Sequence, residues 1–256
     1  MYNKNFKTIV LFIEIMILLF VINIRLWSES DKEIDECIKE LTENQKISIS
    51  FVSKVKVESY IKDKKDRKIV METFVNGLEN SIARYLSPKI DRGKTILMKK
   101  NNYWFYFPRT RQSIRISPRQ RLLGQANIGD IVKPPLLETY DIQLADKRED
   151  DDTIYIFRLK AKTSKAPYQI LKIHFSKKKQ YIFYQEFYTR NKILLKKAYY
   201  SNVKWINNKP FVRNIKIVDG MDDSKYSIVV FQDIKIKKLN PNLFQLKSIP
   251  HINYEY

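Results

Sequence analysis

Near the start of the chain, apolar side chains recur with the helical period. Ile34, Cys37, Ile38 and Leu41 stand at i, i+3, i+4 and i+7, with Asp31 before them and acidic residues on the other face. This spacing predicts one amphipathic helix, in which Cys37 is a small buried apolar residue and not a nucleophile. From Ile47 the period drops to two. Ile47, Ile49, Phe51, Val55, Val57 and Ile61 occupy odd positions, while Lys54, Lys56, Glu58 and Lys62 face the other way. A strand with one dry and one wet side reads like this. Nine further runs follow: RKIVMETFV, SIARYLS, KTILMKKNNYWFYFP, TIYIFRLKAK, YQILKIHFS, KQYIFYQEFYT, ILLKKAYYSNVKWI, PFVRNIKIVD and KYSIVVFQDIKIK. Short polar turns separate most of them, so about ten strands joined as hairpins predict one antiparallel meander.

Residues 117–147 break the alternation. They contain Gly124, Gly129 and Pro134-Pro135, together with Leu122, Leu123, Ile128, Ile131, Leu136 and Leu137. Such a long excursion inside a compact domain is usually functional or disordered, and its apolar content predicts that it packs on something. The strand KQYIFYQEFYT carries large side chains on both faces: Tyr181, Phe183 and Phe187 against Ile182, Tyr184 and Tyr188. Its second face must be covered by helices or a second sheet, or else must line something. Only one clear helix and one lid-like loop are on hand for about ten strands. A curved sheet with those two over its concave side encloses an apolar cavity.

The first thirty residues differ in kind. Residues 8–24, TIVLFIEIMILLFVINI, are apolar apart from Thr8, Glu14 and Asn23. They follow a short basic start and lead to Ser28-Glu29-Ser30, the small-x-small form of an export cleavage site. The run falls short of the roughly 18–20 residues of a comfortable membrane span. Residues 1–30 are therefore expected to be a cleaved signal peptide, with an uncleaved anchor over 8–24 as the alternative. Residues 31–256 are then one exported, periplasmic domain, since no linker divides them and no repeat of fixed period occurs. Cys37 is the sole cysteine, so the fold uses no internal disulfide.

Charge adds a constraint. The chain holds 48 Lys+Arg against 28 Asp+Glu, a formal +20. Such an excess arises from drift on a solvated surface or draws the protein to anionic lipid or nucleic acid. For an exported protein the expected polyanion is an anionic membrane surface, and no nucleic acid. The inventory for catalysis is thin: His174, His251, one cysteine, and no HExxH, GxSxG or Walker-type loop. His174 alternates away from Leu171, Ile173 and Phe175, and the acidic run Glu149–Asp152 sits in a hairpin turn among basic residues. These readings predict a binding protein, not an enzyme, with no metal and no cofactor.

Residues 85–141 resemble the outer-membrane lipoprotein-sorting, LolA-like proteins. The strand Trp104–Pro108 ends in a proline ahead of Arg115-Ile116, the stretch QRLLGQANIGD runs from Gln120 to Asp130, and Glu138–Tyr140 supplies a D/E-x-Y element. Pro134-Pro135 departs from the family pattern, where a polar or small pair is expected. The resemblance implies a mainly β fold with a helical lid: one strongly curved antiparallel sheet forming an unclosed half-barrel around an apolar cavity. It implies a periplasmic carrier that shields acyl chains of lipoproteins or related lipids and passes them toward the outer membrane without nucleotide hydrolysis. The alternative is a membrane-anchored accessory or sensor module of an envelope export system that binds lipid without shuttling it. Expected partners are acylated lipoproteins or lipids, the anionic membrane surface and an inner-membrane exporter complex. On this frame the cavity wall is expected to include Trp104, Phe105, Tyr106, Phe107, Phe183 and Tyr184. The lid is expected to present Leu122, Leu123, Ile128, Ile131, Leu136 and Leu137. Arg109, Arg111 and Arg115 then lie at the rim, where guanidinium forks suit lipid phosphate or carboxylates on the lid.

Overall fold

The computed structural model describes residues 32–43, 50–100, 102–131, 136–149 and 153–251. The expected signal segment, Ile47, Ile49, Pro134-Pro135 and Asp150–Asp152 lie outside the described residues. The chain divides into two compact units, Met1–Glu40 and Leu41–Tyr256. Helix α1 covers residues 32–43, and on its predicted stripe Cys37 and Leu41 are buried. Among the described residues no helix is long and apolar enough to cross a membrane.

The second unit is built on one thirteen-stranded antiparallel sheet. Its first wing is β1 (Ser50–Ile61), β2 (Lys64–Asn76), β3 (Asn80–Ser87), β4 (Thr95–Lys99), β5 (Asn102–Phe107) and β6 (Gln112–Ile116). Its second is β9 (Tyr140–Glu149), β10 (Thr153–Ala161), β11 (Ile170–Ser176), β12 (Tyr181–Tyr188), β13 (Leu194–Ile206), β14 (Lys209–Asp219) and β15 (Lys225–Ile236). Each wing is a meander of hairpins, and the two join where β1 pairs with β15. The sheet is curved and stays open, with β6 and β9 as its two ends. The chain between those ends contains β7 (Arg121–Leu123), β8 (Ala126–Asn127), α2 (Ile128–Ile131) and α3 (Leu136–Thr139). The excursion is thus shorter than expected, because Tyr140 already opens a strand.

Alternation decides most of these elements. In β1, Phe51, Val55 and Val57 are buried as predicted, while Ile61 at the strand end is 47% exposed. The run KTILMKKNNYWFYFP, which reads as one strand, is the hairpin β4–β5, turned at Lys100 with φ of 53°. The second face of the first wing is closed by the C-terminal segment. Leu239, with Phe244 and Ile249 on the 3₁₀ turns Pro241–Phe244 and Leu246–His251, packs with Ile82, Leu97 and Tyr106, and Phe74 and Trp104 border them.

Candidate functional site

The excursion begins with a fixed plug. Gly124, at φ +54°, brings its backbone so close to the sheet that a Cβ would stand 2.5 Å from Ser227 Oγ and 2.6 Å from Ser59 Cβ. Only glycine fits there. The Gln125 amide donates to Ser227 Oγ at 2.9 Å, and that hydroxyl donates to the Leu123 carbonyl at 3.2 Å. Ala126 and Ile128 are buried, and the Gly129 amide donates to Pro118 O at 2.9 Å. On the flank, the Arg119 guanidinium donates to the carbonyls of Ser164, Ala166 and Pro167 at 2.8–3.2 Å.

The plug ends on a buried ion pair. Lys196 Nζ of β13 donates to Asp130 Oδ2 at 2.5 Å, each side chain being 5% exposed. Two further donors converge on this carboxylate: the Asn127 amide at 2.7 Å and the Tyr168 hydroxyl at 2.7 Å. Lys196 also donates to Gln125 O at 3.2 Å and stands 4.9 Å from the Tyr168 ring centroid. A carboxylate with three donors and an ammonium with an oxygen and a ring face are compensated for leaving water, as buried charges must be. Burial pulls the Lys196 pKa down against the pull of Asp130, which raises it. Burial, reinforced by Asp130, raises the Tyr168 and Tyr200 phenols.

Beyond the plug lies a cavity of about 480 Å³. Its walls come from across the sheet: Phe51 of β1, Val75 of β2, Met98 of β4, Phe175 of β11, Phe211 of β14 and Phe231 of β15. In sheet order β4 and β11 are eight steps apart, which on a flat sheet is about 38 Å. One cavity touches both only because the sheet curls around it. Gly77 and Leu78 in the β2–β3 turn and Gln180 before β12 mark one end of the strands as its mouth. Asp130, Ile131, Leu136, Leu137 and Glu138 bring the excursion to its border. The volume lies within the roughly 300–1,000 Å³ of ligand sites, and the polar groups are few among aliphatic and aromatic walls. Among the described residues no three His, Cys, Asp or Glu side chains gather as a metal site.

A family model described as an uncharacterized protein matches residues 77–251, and the chain belongs to that family. No curated protein matches the chain. A solved LolA superfamily protein from Nitrosomonas europaea is similar at 26% identity and a TM-score of 0.75, over 82% of this chain and 96% of its own. The chain belongs to the LolA-like superfamily. The same fold recurs in a domain from Vibrio parahaemolyticus titled as outer membrane lipoprotein-sorting, at 14% identity, TM-score 0.73 and coverage of 84% and 97%. It recurs again in a DUF1329 family protein from Desulfovibrio piger, at 15% identity, TM-score 0.73 and coverage of 84% and 96%.

In this LolA-like chain the sequence-predicted residues fall into three places. Ile131, Leu136 and Leu137 border the cavity; Leu123 and Ile128 are buried in the plug beside the half-buried Leu122. Trp104, Phe105, Tyr106, Phe107, Phe183 and Tyr184 are not among the residues lining it. Trp104 and Tyr106 instead receive the C-terminal segment, while Phe105 packs against Tyr85 and Phe107 on the other face. A register shift between His174 and Phe175 breaks the parity of β12, so Ile182 borders the cavity, whereas Phe183 and Tyr184 both meet His174. Burial and the neighbouring Lys172 lower the His174 pKa. Arg109 and Arg111 are exposed on the β5–β6 turn, at the opposite end of the strands from the mouth, and Arg115 donates to Asn102 Oδ1. Sequence reasoning missed Lys196 and Tyr168. Lys196 carried a signal: it shares strand parity with the buried Ala198 and Tyr200, so an inward charge demanded a partner.

Proposed function

We propose that this LolA-like protein is an exported, periplasmic carrier that shields acyl chains of lipoproteins or related lipids in the cavity and passes them toward the outer membrane. The observation that carries this reading is the apolar hollow of about 480 Å³ walled by Phe51, Val75, Met98, Phe175, Phe211 and Phe231. These residues, with Leu136 and Leu137 at the border, are the acyl-contacting set, and residues 1–30 are the export segment. Burying hydrocarbon yields about 0.8 kcal/mol per methylene, so a long chain gains on the order of 10 kcal/mol before association costs are subtracted. Release at the acceptor then depends on a partner that binds the open form of the mouth better than the closed one.

Titration with dansyl-undecanoic acid tests the reading. One probe binds per chain, and Phe231→Asp or Val75→Asp, each placing a carboxylate on the wall, weakens binding by about tenfold or more. Native mass spectrometry of protein taken from its own envelope finds an acylated species. A folded chain that neither binds the probe nor carries any acylated molecule overturns the proposal.

A further inference from the structure

The arginines that follow the aromatic strand stand away from the mouth, so their use has to be sought elsewhere. From Arg92 to Gly129 the chain has nine Lys and Arg and no acidic residue. The fold gathers this stretch at one side of the sheet, as β4, β5, β6 and the start of the plug. There β6 pairs with β5 on one flank, in continuous register from Tyr103↔Ile116 to Phe107↔Gln112, and with no other described strand on the second flank. Gln112, Ser113, Ile114 and Arg115 are all exposed, Ile114 at 48%. Among the described residues Arg109 and Arg111 meet no carboxylate, and Arg115 spends one of its five donors on Asn102.

The opposite edge is managed differently. Strand β9 carries charges of both signs, with Arg148 and Asp146 paired at 3.6 Å, and a register shift at Ala145 interrupts its pairing with Ile156 and Phe157 of β10. Mixed charge and bulges are the usual protection of an edge against pairing with another chain. Strand β6 has no bulge and one sign of charge. A single sign repels a second copy of this basic chain yet attracts an acidic strand. Its side chains alternate as well: Ile114 and Ile116 lie on one face, Ser113 and Arg115 on the other, with Arg109 and Arg111 at the turn.

We infer that the β6 edge is a docking site for a partner protein, which adds an extended segment of alternating acidic and apolar residues as a further strand. Backbone groups of β6 supply the pairing, Ile114 and Ile116 take the apolar side chains, and Arg109, Arg111 and Arg115 take the carboxylates. The site lies apart from the acyl cavity and does not depend on what the cavity holds.

The probe is a fluorescein-labelled Gly-Glu-Val-Glu-Val-Glu-Val-Gly peptide, followed by anisotropy with the full chain, beside two copies N-methylated on alternate residues in either phase. The unmodified peptide and one N-methylated copy bind and protect the amides of residues 112–116 from hydrogen exchange. The other copy, its pairing amides blocked, does not bind. Arg111→Glu with Arg115→Glu weakens binding by about tenfold or more, while dansyl-undecanoic acid titration and the thermal melt stay as in the parent. Equal binding of both N-methylated copies means that charge alone attracts the peptide, and overturns the inference. So does absence of peptide binding, including the case where vesicles of phosphatidylglycerol bind the parent and not the arginine variant, which assigns the patch to a membrane surface. Should the variant fail to fold, the N-methyl comparison on the parent decides.

Discussion

Removing the ammonium from the buried pair should unlock the plug. In Lys196→Met the unbranched side chain keeps the volume of the stem, and the Asp130 carboxylate remains at 5% exposure with two donors in place of three. Breaking a buried pair by removing one partner costs about 3–5 kcal/mol. The Asn127 amide and Tyr168 hydroxyl still hold the carboxylate, so the lower end, about 3 kcal/mol, is expected. That is a large part of the roughly 5–15 kcal/mol that stabilises a typical domain. Asp130→Asn in the same background removes the stranded charge, and the double variant should recover about 1.5 kcal/mol or more of the loss, a coupling of the size seen for contacting residues. Urea unfolding followed by circular dichroism measures the four corners of the cycle, and hydrogen exchange at residues 121–131 locates the loosening. A Lys196→Met variant within about 1 kcal/mol of the parent, or additive single and double effects, refutes the claim that this pair fixes the plug.

Other expectations follow from the same geometry. Gly124→Ala should cost about 2–4 kcal/mol, combining a left-handed backbone with overlap at Ser227 and Ser59; Gly77→Ala, with φ +65° and nothing within 4 Å, should cost only about 1 kcal/mol. Equal melting temperatures for the two would remove the close-approach argument. Phe244→Ala, at a side chain 1% exposed, should cost about 3 kcal/mol and open residues 239–251 to protease; an unchanged proteolysis pattern would show that the tail is held elsewhere. Burial raises the Tyr140 phenol to about 12 and also raises those of Tyr168 and Tyr200. A phenol whose folded pKa exceeds its unfolded value near 10 contributes stability that is full below that value and lost as pH rises through the folded one. Thermal melts should therefore fall between about pH 10 and 12, as tyrosinate absorbance at 295 nm appears with unfolding; full tyrosinate absorbance in the native protein near pH 10 would contradict it.

The parts of the fold that were legible in the sequence are those set by period. Phe51, Val55 and Val57 alternate inward because one strand face is dry, and Ile34, Cys37, Ile38 and Leu41 repeat because a helix turns every 3.6 residues. What the period could not give is a change of phase. The shift beside His174 turns Phe183 out and leaves Ile182 at the cavity, and no local residue type announces it. Trp104 and Tyr106 are a different case. They were expected on the cavity wall, but their face is covered by residues 239–249, over a hundred positions away, in a tail whose Leu239, Phe244 and Ile249 stand five apart, a spacing that matches neither the helical nor the strand period. The motif from Gln120 to Asp130 was visible as a string; that its glycine means contact with β1 and β15, and its aspartate a partner on β13, needed the sheet to be curled.

That curl also explains why the excursion is divided in its duties. The chain must cross from β6 at one end of the sheet to β9 at the other, and the hollow of a curved open sheet is where such a crossing buries apolar area. If the whole crossing packed down, the hollow would be core; if none did, the wall would be wet. Residues 117–131 pack through Gly124, Arg119 and Asp130, and the remaining hollow is bounded by that fixed plug on one side. The plug cannot be the moving part, since freeing it strands a buried carboxylate. On the proposed reading, exchange of an apolar guest therefore takes place at the other end, at the mouth marked by the β2–β3 turn and Gln180, while Leu136, Leu137 and Glu138 also border the cavity. Because Asp130 stands at the inner border, a hydrocarbon tail gains by filling the aromatic middle of the cavity and stops short of the carboxylate, which sets a limit on chain length. A series of fatty acids should thus tighten with each added methylene by a constant factor and then level off. Steady tightening across the whole series would mean that the plug yields to the guest and is no wall at all.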